Sequence, residues 1–98
     1  MPVSLTPRER AKLKARAHAL APVVQVGHAG LSDSVVKEVH GALAAHELIK
    51  VRILGDDRDA CVALSEALAA QTDAAVVQRV GKILVLFRPK PEAPDAQD

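Results

Sequence analysis

The stretch AVVQRVGKILVLFR, residues 75–88, decides the fold of this chain. It holds two runs rich in β-branched residues, 75–80 and 83–88, separated only by Gly81 and Lys82. A two-residue connection with glycine first is typical of a β-hairpin, because glycine readily adopts the positive φ that such a turn requires. The stretch is therefore predicted to form two antiparallel strands.

Two further strands are predicted upstream of this hairpin. Residues 23–26 are a short β-branched run bounded by proline and glycine. In residues 48–54 the side chains alternate, so Lys50 and Arg52 share one face of the predicted strand while the branched apolar residues between them share the other. This second strand should therefore carry a basic stripe.

Three helices are predicted, each with a residue suited to its N-terminus. Residues 6–9 match a capping box with proline at the first helical position. Ser32 is suited to cap the second helix, and Asp56 or Asp57 the third, which should stop near Thr72. Apolar residues then recur at helical spacing: Leu13, Ala17 and Leu20; Val35, Val36, Val39, Ala42 and Leu43; Cys61, Leu64 and Leu68.

These elements follow one another in the order αβαβαββ. Two strand-helix-strand units imply right-handed parallel crossovers, and the final hairpin adds an antiparallel strand. The sequence therefore predicts a two-layer α+β domain, in which helices pack on a mixed four-stranded sheet.

Composition limits the chain to one domain. The 98 residues are 49% hydrophobic, and no apolar stretch approaches the roughly 20 residues of a membrane span. We assign residues 4–89 to the domain and expect the proline-rich, acidic residues 90–98 to be disordered. No secretory signal is visible, so a cytoplasmic location is expected. A single cysteine, Cys61, excludes an intramolecular disulfide and a multi-cysteine zinc site.

Positive charge is concentrated in the first predicted helix, although the net charge of the chain is only +1. Five cations lie within nine residues: Arg8, Arg10, Lys12, Lys14 and Arg16. Such a cluster is a plausible binding surface for a polyanion, and it is equally explained as the solvated face of an ordinary helix.

A glycine-containing loop, Gly27-His28-Ala29-Gly30, follows the first strand and precedes the second helix. Glycines at such a position let a phosphate backbone approach the main chain closely, and they are also the ordinary residues of a tight turn. The basic helix favours phosphate binding. Candidate auxiliary phosphate contacts are Lys50, Arg52, Lys82 and Arg88.

No set of residues suited to catalysis is found. P-loop and dinucleotide-binding motifs are absent, and the spacing of the four histidines does not suit a metal site. We therefore expect no enzyme, no cofactor and no metal. Phe87 is the only aromatic residue, so recognition by base stacking is excluded and RNA would be recognised through its backbone and shape.

Four segments together resemble one known family: Leu5-Thr6 with the basic helix, VVQVGHAGLS (residues 23–32), HELIKV (46–51) and GKILVLFR (81–88). They are similar to the CRM domain (chloroplast RNA splicing and ribosome maturation), and specifically to stand-alone bacterial YhbY-like proteins, over residues 4–89. This resemblance implies a fold like the C-terminal domain of initiation factor three. It also implies RNA binding through the GxxG loop and neighbouring basic surface and, for bacterial members, association with precursor large ribosomal subunits.

The resemblance carries over to individual residues. Gly27, His28, Ala29 and Gly30 match the RNA-contacting loop of the family, and residues 8–16 fall on its basic first helix. His28 stands where many relatives have lysine or serine, so RNA binding should strengthen as His28 becomes protonated. Phe87 stands where tyrosine is common, which removes a hydroxyl contact.

We therefore expect a non-enzymatic RNA-binding protein that binds ribosomal RNA in precursor large subunits during ribosome assembly. A protein-interaction module that docks an acidic partner is the alternative. An enzyme acting on a phosphorylated small molecule has only His28 as a possible base. The sequence leaves the RNA segment and the oligomeric state open.

Overall fold

The computed structural model describes residues 5–27, 30–55 and 57–89. The order αβαβαββ is as predicted, with elements α1 (Pro7–Ala17), β1 (Pro22–Val26), α2 (Asp33–His46), β2 (Leu48–Ile53), α3 (Arg58–Thr72), β3 (Ala75–Val80) and β4 (Ile83–Phe87). The predicted disorder of residues 90–98 lies outside the described residues.

The helix caps form as the sequence predicts. The Thr6 hydroxyl accepts a hydrogen bond from the Glu9 amide at 3.1 Å, and the Glu9 carboxylate accepts one from the Thr6 amide at 2.9 Å. Ser32 caps α2, and Asp57 caps α3 by accepting from two amides of its first turn. Each cap satisfies amides that have no partner inside the helix, which fixes where the helix begins.

Leu20, one of the three apolar residues predicted at helical spacing in the first helix, lies outside that helix. α1 ends at Ala17, so Leu20 follows the helix and is 37% exposed. Leu13 and Ala17 are the buried residues of α1. The prediction was wrong for Leu20, because the helix ends before that position is reached.

The four strands form one mixed sheet in the order β1-β2-β4-β3. β1 pairs with β2 in parallel, and β4 pairs with both β2 and β3 in antiparallel orientation. β2 and β3 therefore run in the same direction, as two strand-helix-strand units require. β4, the last of the described strands, lies between them in the interior of the sheet.

Both faces of this sheet are covered by helices. α2 and α3 pack on one face, where the main core contains Val39, Leu43, Ile49, Leu68 and Leu84, all with 1% exposure or less. On the other face α1 packs through Leu13 and Ala17 against Leu48, Val77 and Val85. The mixed four-stranded α+β fold is thus confirmed, with one difference. The helices form two layers rather than one, because β2 and β4 carry buried apolar side chains on both faces.

The sheet has two distinct ends. β1, β2 and β3 finish at one end, where β4 begins, and we call this the loop end. It carries the segment after β1, the segment after β2 and the Gly81–Lys82 turn. Hydrogen bonds from the Leu54 amide to the Val26 carbonyl (2.9 Å) and from the Ile53 amide to the Lys82 carbonyl (2.8 Å) hold these three segments side by side.

Candidate nucleic-acid interface

A hydrogen bond joins Gly27 and Gly30, the two ends of the glycine loop. The Gly30 amide donates a hydrogen bond to the Gly27 carbonyl at 3.0 Å, and Gly30 has φ +81°. A side chain at Gly30 would therefore strain the backbone. Gly27 is exposed, and a Cβ added there would meet nothing within 4 Å. His28 and Ala29, which were also predicted to contact RNA, lie outside the described residues.

The N-terminus of α2, which follows this loop, already has anionic and hydroxyl partners from its own sequence. Ser32 accepts from the Val35 amide at 3.3 Å, and Asp33 places a carboxylate in the first turn. These groups use the positive end of the helix dipole that a phosphate would otherwise occupy. What the loop can offer a phosphate group is therefore close access to the exposed backbone at Gly27.

Four of the five predicted cations of α1 are exposed to solvent: Arg8, Lys12, Lys14 and Arg16. Arg10 differs. Its guanidinium is half-buried and donates hydrogen bonds to the carbonyl oxygens of Val76 and Val77, the latter at 2.8 Å. Arg10 therefore joins α1 to β3, while the other four cations remain available to a polyanion.

The basic stripe of β2 lies on the face of the sheet that α1 covers. Lys50 pairs across the strands with Val85, which packs beneath α1, and Lys50 is half-buried there. Arg52 lies two residues nearer the loop end and is exposed, opposite Gln25 of β1. Residues two apart on a strand share a face and lie about 7 Å from each other. Lys50 and Arg52 thus extend the positive charge of α1 towards the loop end.

We call the exposed cations of α1 together with the two cations on the same side of β2 the basic band: Arg8, Lys12, Lys14, Arg16, Lys50 and Arg52. Its α1 part lies near the start of β2, since Arg16 lines a cavity of about 360 Å³ together with His46 and Leu48. The glycine loop lies at the other end of the sheet, about 17 Å away along β2. The predicted helix and loop are therefore not adjacent, and β2 is the element that connects them.

Arg88 lies at the end of the sheet away from the glycine loop. Its guanidinium donates to the carbonyl oxygen of Thr72 at 2.8 Å and to that of His40 at 3.1 Å, and it lies 2.8 Å from His40 Nδ1. An arginine has no acceptor, so His40 Nδ1 accepts this bond. Arg88 thus holds the end of β4 to α2 and to the C-terminus of α3.

Two arginines that the sequence interpretation missed lie at the loop end. Arg58 begins α3 and Arg79 lies near the end of β3, and both line a surface cavity of about 310 Å³ with Lys82. A register shift between Val76 and Gln78 breaks the alternation of β3, so the face taken by Arg79 cannot be deduced from the sequence. Arg58 has an acidic residue on each side in the sequence, so it does not stand out there as part of a basic cluster.

Residues 5–27, 30–55 and 57–89 contain no group of three histidine, cysteine or acidic side chains that could hold a metal ion. None of the helices they form is long and apolar enough to cross a membrane. Phe87 is half-buried in the cluster beneath α1, so the one aromatic ring of the chain is used in packing.

Comparison with known proteins agrees with this fold over nearly the whole chain. A Haemophilus influenzae protein named "RNA-binding protein" is 44% identical over 90 residues, which cover 92% of this chain and 91% of that protein. The Bacillus subtilis "Probable RNA-binding protein YqeI" is 35% identical, covering 90% and 92% respectively. A hypothetical protein of Staphylococcus aureus, solved in solution, superposes with a TM-score of 0.81 at 31% identity, covering 91% of this chain and 93% of that one.

The sequence pattern of one family spans residues 5–88, which include every helix and strand described above. The resemblance noted in the sequence is therefore confirmed: the chain belongs to the CRS1 / YhbY (CRM) domain family.

Proposed function

We propose that this protein is a non-enzymatic RNA-binding protein of the cytoplasm that binds ribosomal RNA in precursor large subunits during their assembly. The observation that carries the proposal is the basic band, which leads from α1 over β2 towards the glycine loop. The names of the H. influenzae and B. subtilis relatives support RNA as the partner. The ribosomal destination rests on the resemblance to bacterial YhbY-like proteins.

The basic band would supply most of the binding free energy through release of counterions from the RNA. Its six cations are mounted on rigid elements, a capped helix and a strand in the interior of the sheet. If all six neutralise phosphates, the logarithm of the affinity should fall with the logarithm of salt with a slope between about −4.2, the single-strand value, and about −5.4, the duplex value. The glycine loop would fix the position of the RNA by letting its backbone come close to Gly27.

The kind of RNA follows from the side chains available. Sequence-tolerant binding of single strands relies on exposed aromatic rings, and Phe87, the only Phe, Tyr or Trp of this protein, is half-buried beneath α1. Folded RNA, recognised through backbone and shape, suits the surface better. A short hairpin from the large-subunit RNA should therefore bind more tightly than an unstructured strand of equal length.

The test is a density gradient of a lysate from the source cells, run at low and at high salt. The proposal expects the protein to travel with immature large subunits at low salt and to be released at high salt. If the protein stays among free proteins in both gradients, the ribosomal role is wrong. If it then travels with another protein after nuclease treatment, the protein-interaction module replaces the proposal.

A further inference from the structure

Two surface cavities at the loop end adjoin each other and form one groove. The first, about 170 Å³, is bordered by Gly27 and Gly30. The second, about 310 Å³, is bordered by Arg58, Arg79 and Lys82. The two share Gly55, Asp57 and Cys61 among their lining residues. We call the combined feature the loop-end groove.

We propose that the loop-end groove is a second phosphate-binding surface, in which the RNA backbone passes from Gly27 and Gly30 to Arg58 and Arg79. The inference rests on the proposed RNA-binding function and deepens it, since it adds a binding surface on the side of the sheet opposite the basic band.

The floor of the groove is backbone held in a fixed position. The segment after β2 lies between the glycine loop and the Gly81–Lys82 turn, held by the hydrogen bonds from Leu54 to Val26 and from Ile53 to Lys82. Gly55 has φ +127°, and a Cβ there would meet nothing within 4 Å. Because Gly55 has no side chain, no atoms cover the main chain at this position, and a phosphate can approach the backbone closely.

The positive side chains lie at one end of this floor. Arg79 pairs with Leu84 of β4, and Leu84 belongs to the core beneath α2 and α3, so the Arg79 side chain leaves the sheet on the same side as α3. Arg58 is the first residue of α3, and both arginines are exposed. A guanidinium is suited to bind phosphate oxygens with two parallel hydrogen bonds.

Two carboxylates are nearby and lower the net positive charge. Asp57 accepts hydrogen bonds from the Asp59 and Ala60 amides at 3.0 and 3.3 Å, so its Oδ1 atom is directed to the helix. Asp59 is exposed in the first turn of α3. Among the described residues at this end, three cations (Arg58, Arg79 and Lys82) face these two acids, and a third acid of the sequence, Asp56, lies outside the described residues.

The length of the groove favours a polymer over a single phosphate. In the strand order β1-β2-β4, the glycine loop and the Gly81–Lys82 turn are two strand spacings apart, which is about 10 Å. One inorganic phosphate cannot contact both ends of such a groove, whereas successive phosphates of one RNA strand can.

The first test measures affinity for a fluorescently labelled RNA hairpin with the double variant Arg58→Gln/Arg79→Gln. We expect its affinity to fall at least about fivefold and its salt slope to become shallower by about 2, because each of the two arginines would bind one phosphate. Lys37→Gln is the matched control, because Lys37 is an exposed cation of α2 that lines neither cavity. Circular dichroism melts check that each variant is folded.

The second test uses Cys61, the only cysteine of the chain, which is half-buried and lines both cavities. Bound hairpin RNA should slow the alkylation of Cys61 by N-ethylmaleimide in the wild-type protein.

Two results would overturn the proposal: an alkylation rate that RNA does not change, or an affinity of the Arg58→Gln/Arg79→Gln variant equal to that of Lys37→Gln. If RNA binding by the wild-type protein is absent altogether, the proposed function fails with it. If changes in the basic band weaken binding and the groove changes do not, only the groove is excluded.

Discussion

The guanidinium of Arg10 donates a hydrogen bond to the carbonyl oxygen of Val77 at 2.8 Å, and it thereby ties the first helix to the edge strand β3. The two residues are 67 positions apart in the chain. Arg10 lies in a cluster of cations that otherwise face solvent, so its neighbours in the sequence give no sign of this role. The first prediction concerns this hydrogen bond.

Replacing Arg10 by alanine should destabilise the fold, whereas replacing Lys12 should not. Arg10→Ala removes charged hydrogen bonds to two backbone carbonyls in a half-buried position, which should lower the free energy of unfolding by about 1–2 kcal/mol. Lys12→Ala, on the exposed side of the same helix, should leave stability within about 0.5 kcal/mol. Urea unfolding of both variants measures this, and equal stability of the two would contradict the structural role of Arg10.

Arg88 should likewise matter for stability rather than for RNA affinity. Arg88→Lys keeps the charge but loses the fork that reaches Thr72 and His40 together, so we expect stability to fall by about 1–2 kcal/mol. RNA affinity, measured well below the melting temperature, should stay within about twofold of wild type, because the Arg88 guanidinium is bonded to α2 and α3, on the side of the sheet opposite the basic band. If a folded Arg88→Lys variant binds RNA much more weakly than wild type, Arg88 belongs to the RNA-binding surface after all.

Changes in the basic band should weaken RNA binding and its salt dependence together. Lys12→Gln and Arg52→Gln remove one cation each from α1 and from β2, and each should make the salt slope shallower by about 1. In the double variant the change in salt slope should equal the sum of the two single changes, because the two positions lie on separate elements. Filter binding over a series of salt concentrations gives the slopes. Identical slopes for wild type and the double variant would show that the band does not contact phosphate.

The two glycines of the loop should respond differently to substitution. Gly27→Asp adds a negative charge where a side chain meets no neighbour, so it should weaken RNA binding without reducing stability. Gly27→Asn is the matched control for size and should bind more tightly than Gly27→Asp. Gly30→Ala should lower the free energy of unfolding by about 1 kcal/mol or more, because Gly30 has φ +81°. Thermal melts and hairpin binding on all three variants separate charge from backbone strain.

Local features of the fold were predictable from the sequence because each depends on residues close together in the chain. The capping box at Thr6, the cap at Ser32 and the Gly81–Lys82 turn all formed as expected. Parallel pairing of β1 with β2 followed from the helix between them. These elements need only short-range periodicity and turn chemistry.

Long-range placement was not predictable in the same way. The insertion of β4 between β2 and β3, and the packing of α1 on the face opposite α2 and α3, depend on which apolar faces meet across the whole sheet. The internal bonds of Arg10 and Arg88 join residues far apart in sequence, so both looked like surface cations. Arg79 was overlooked because the bulge in β3 hides the face it takes.

The interior position of β4 has a consequence for how this protein is made. β4 leaves the ribosome after the other described strands, yet it supplies the only pairing between β3 and the rest of the described sheet. A nascent chain that stops before residue 83 lacks the strand that pairs with both β2 and β3, so these two strands cannot be hydrogen-bonded into one sheet in the way the structure shows. The two proposed RNA-binding surfaces, one on each side of the sheet, therefore depend on β4, because without it the pairing that links β2 to β3 is missing.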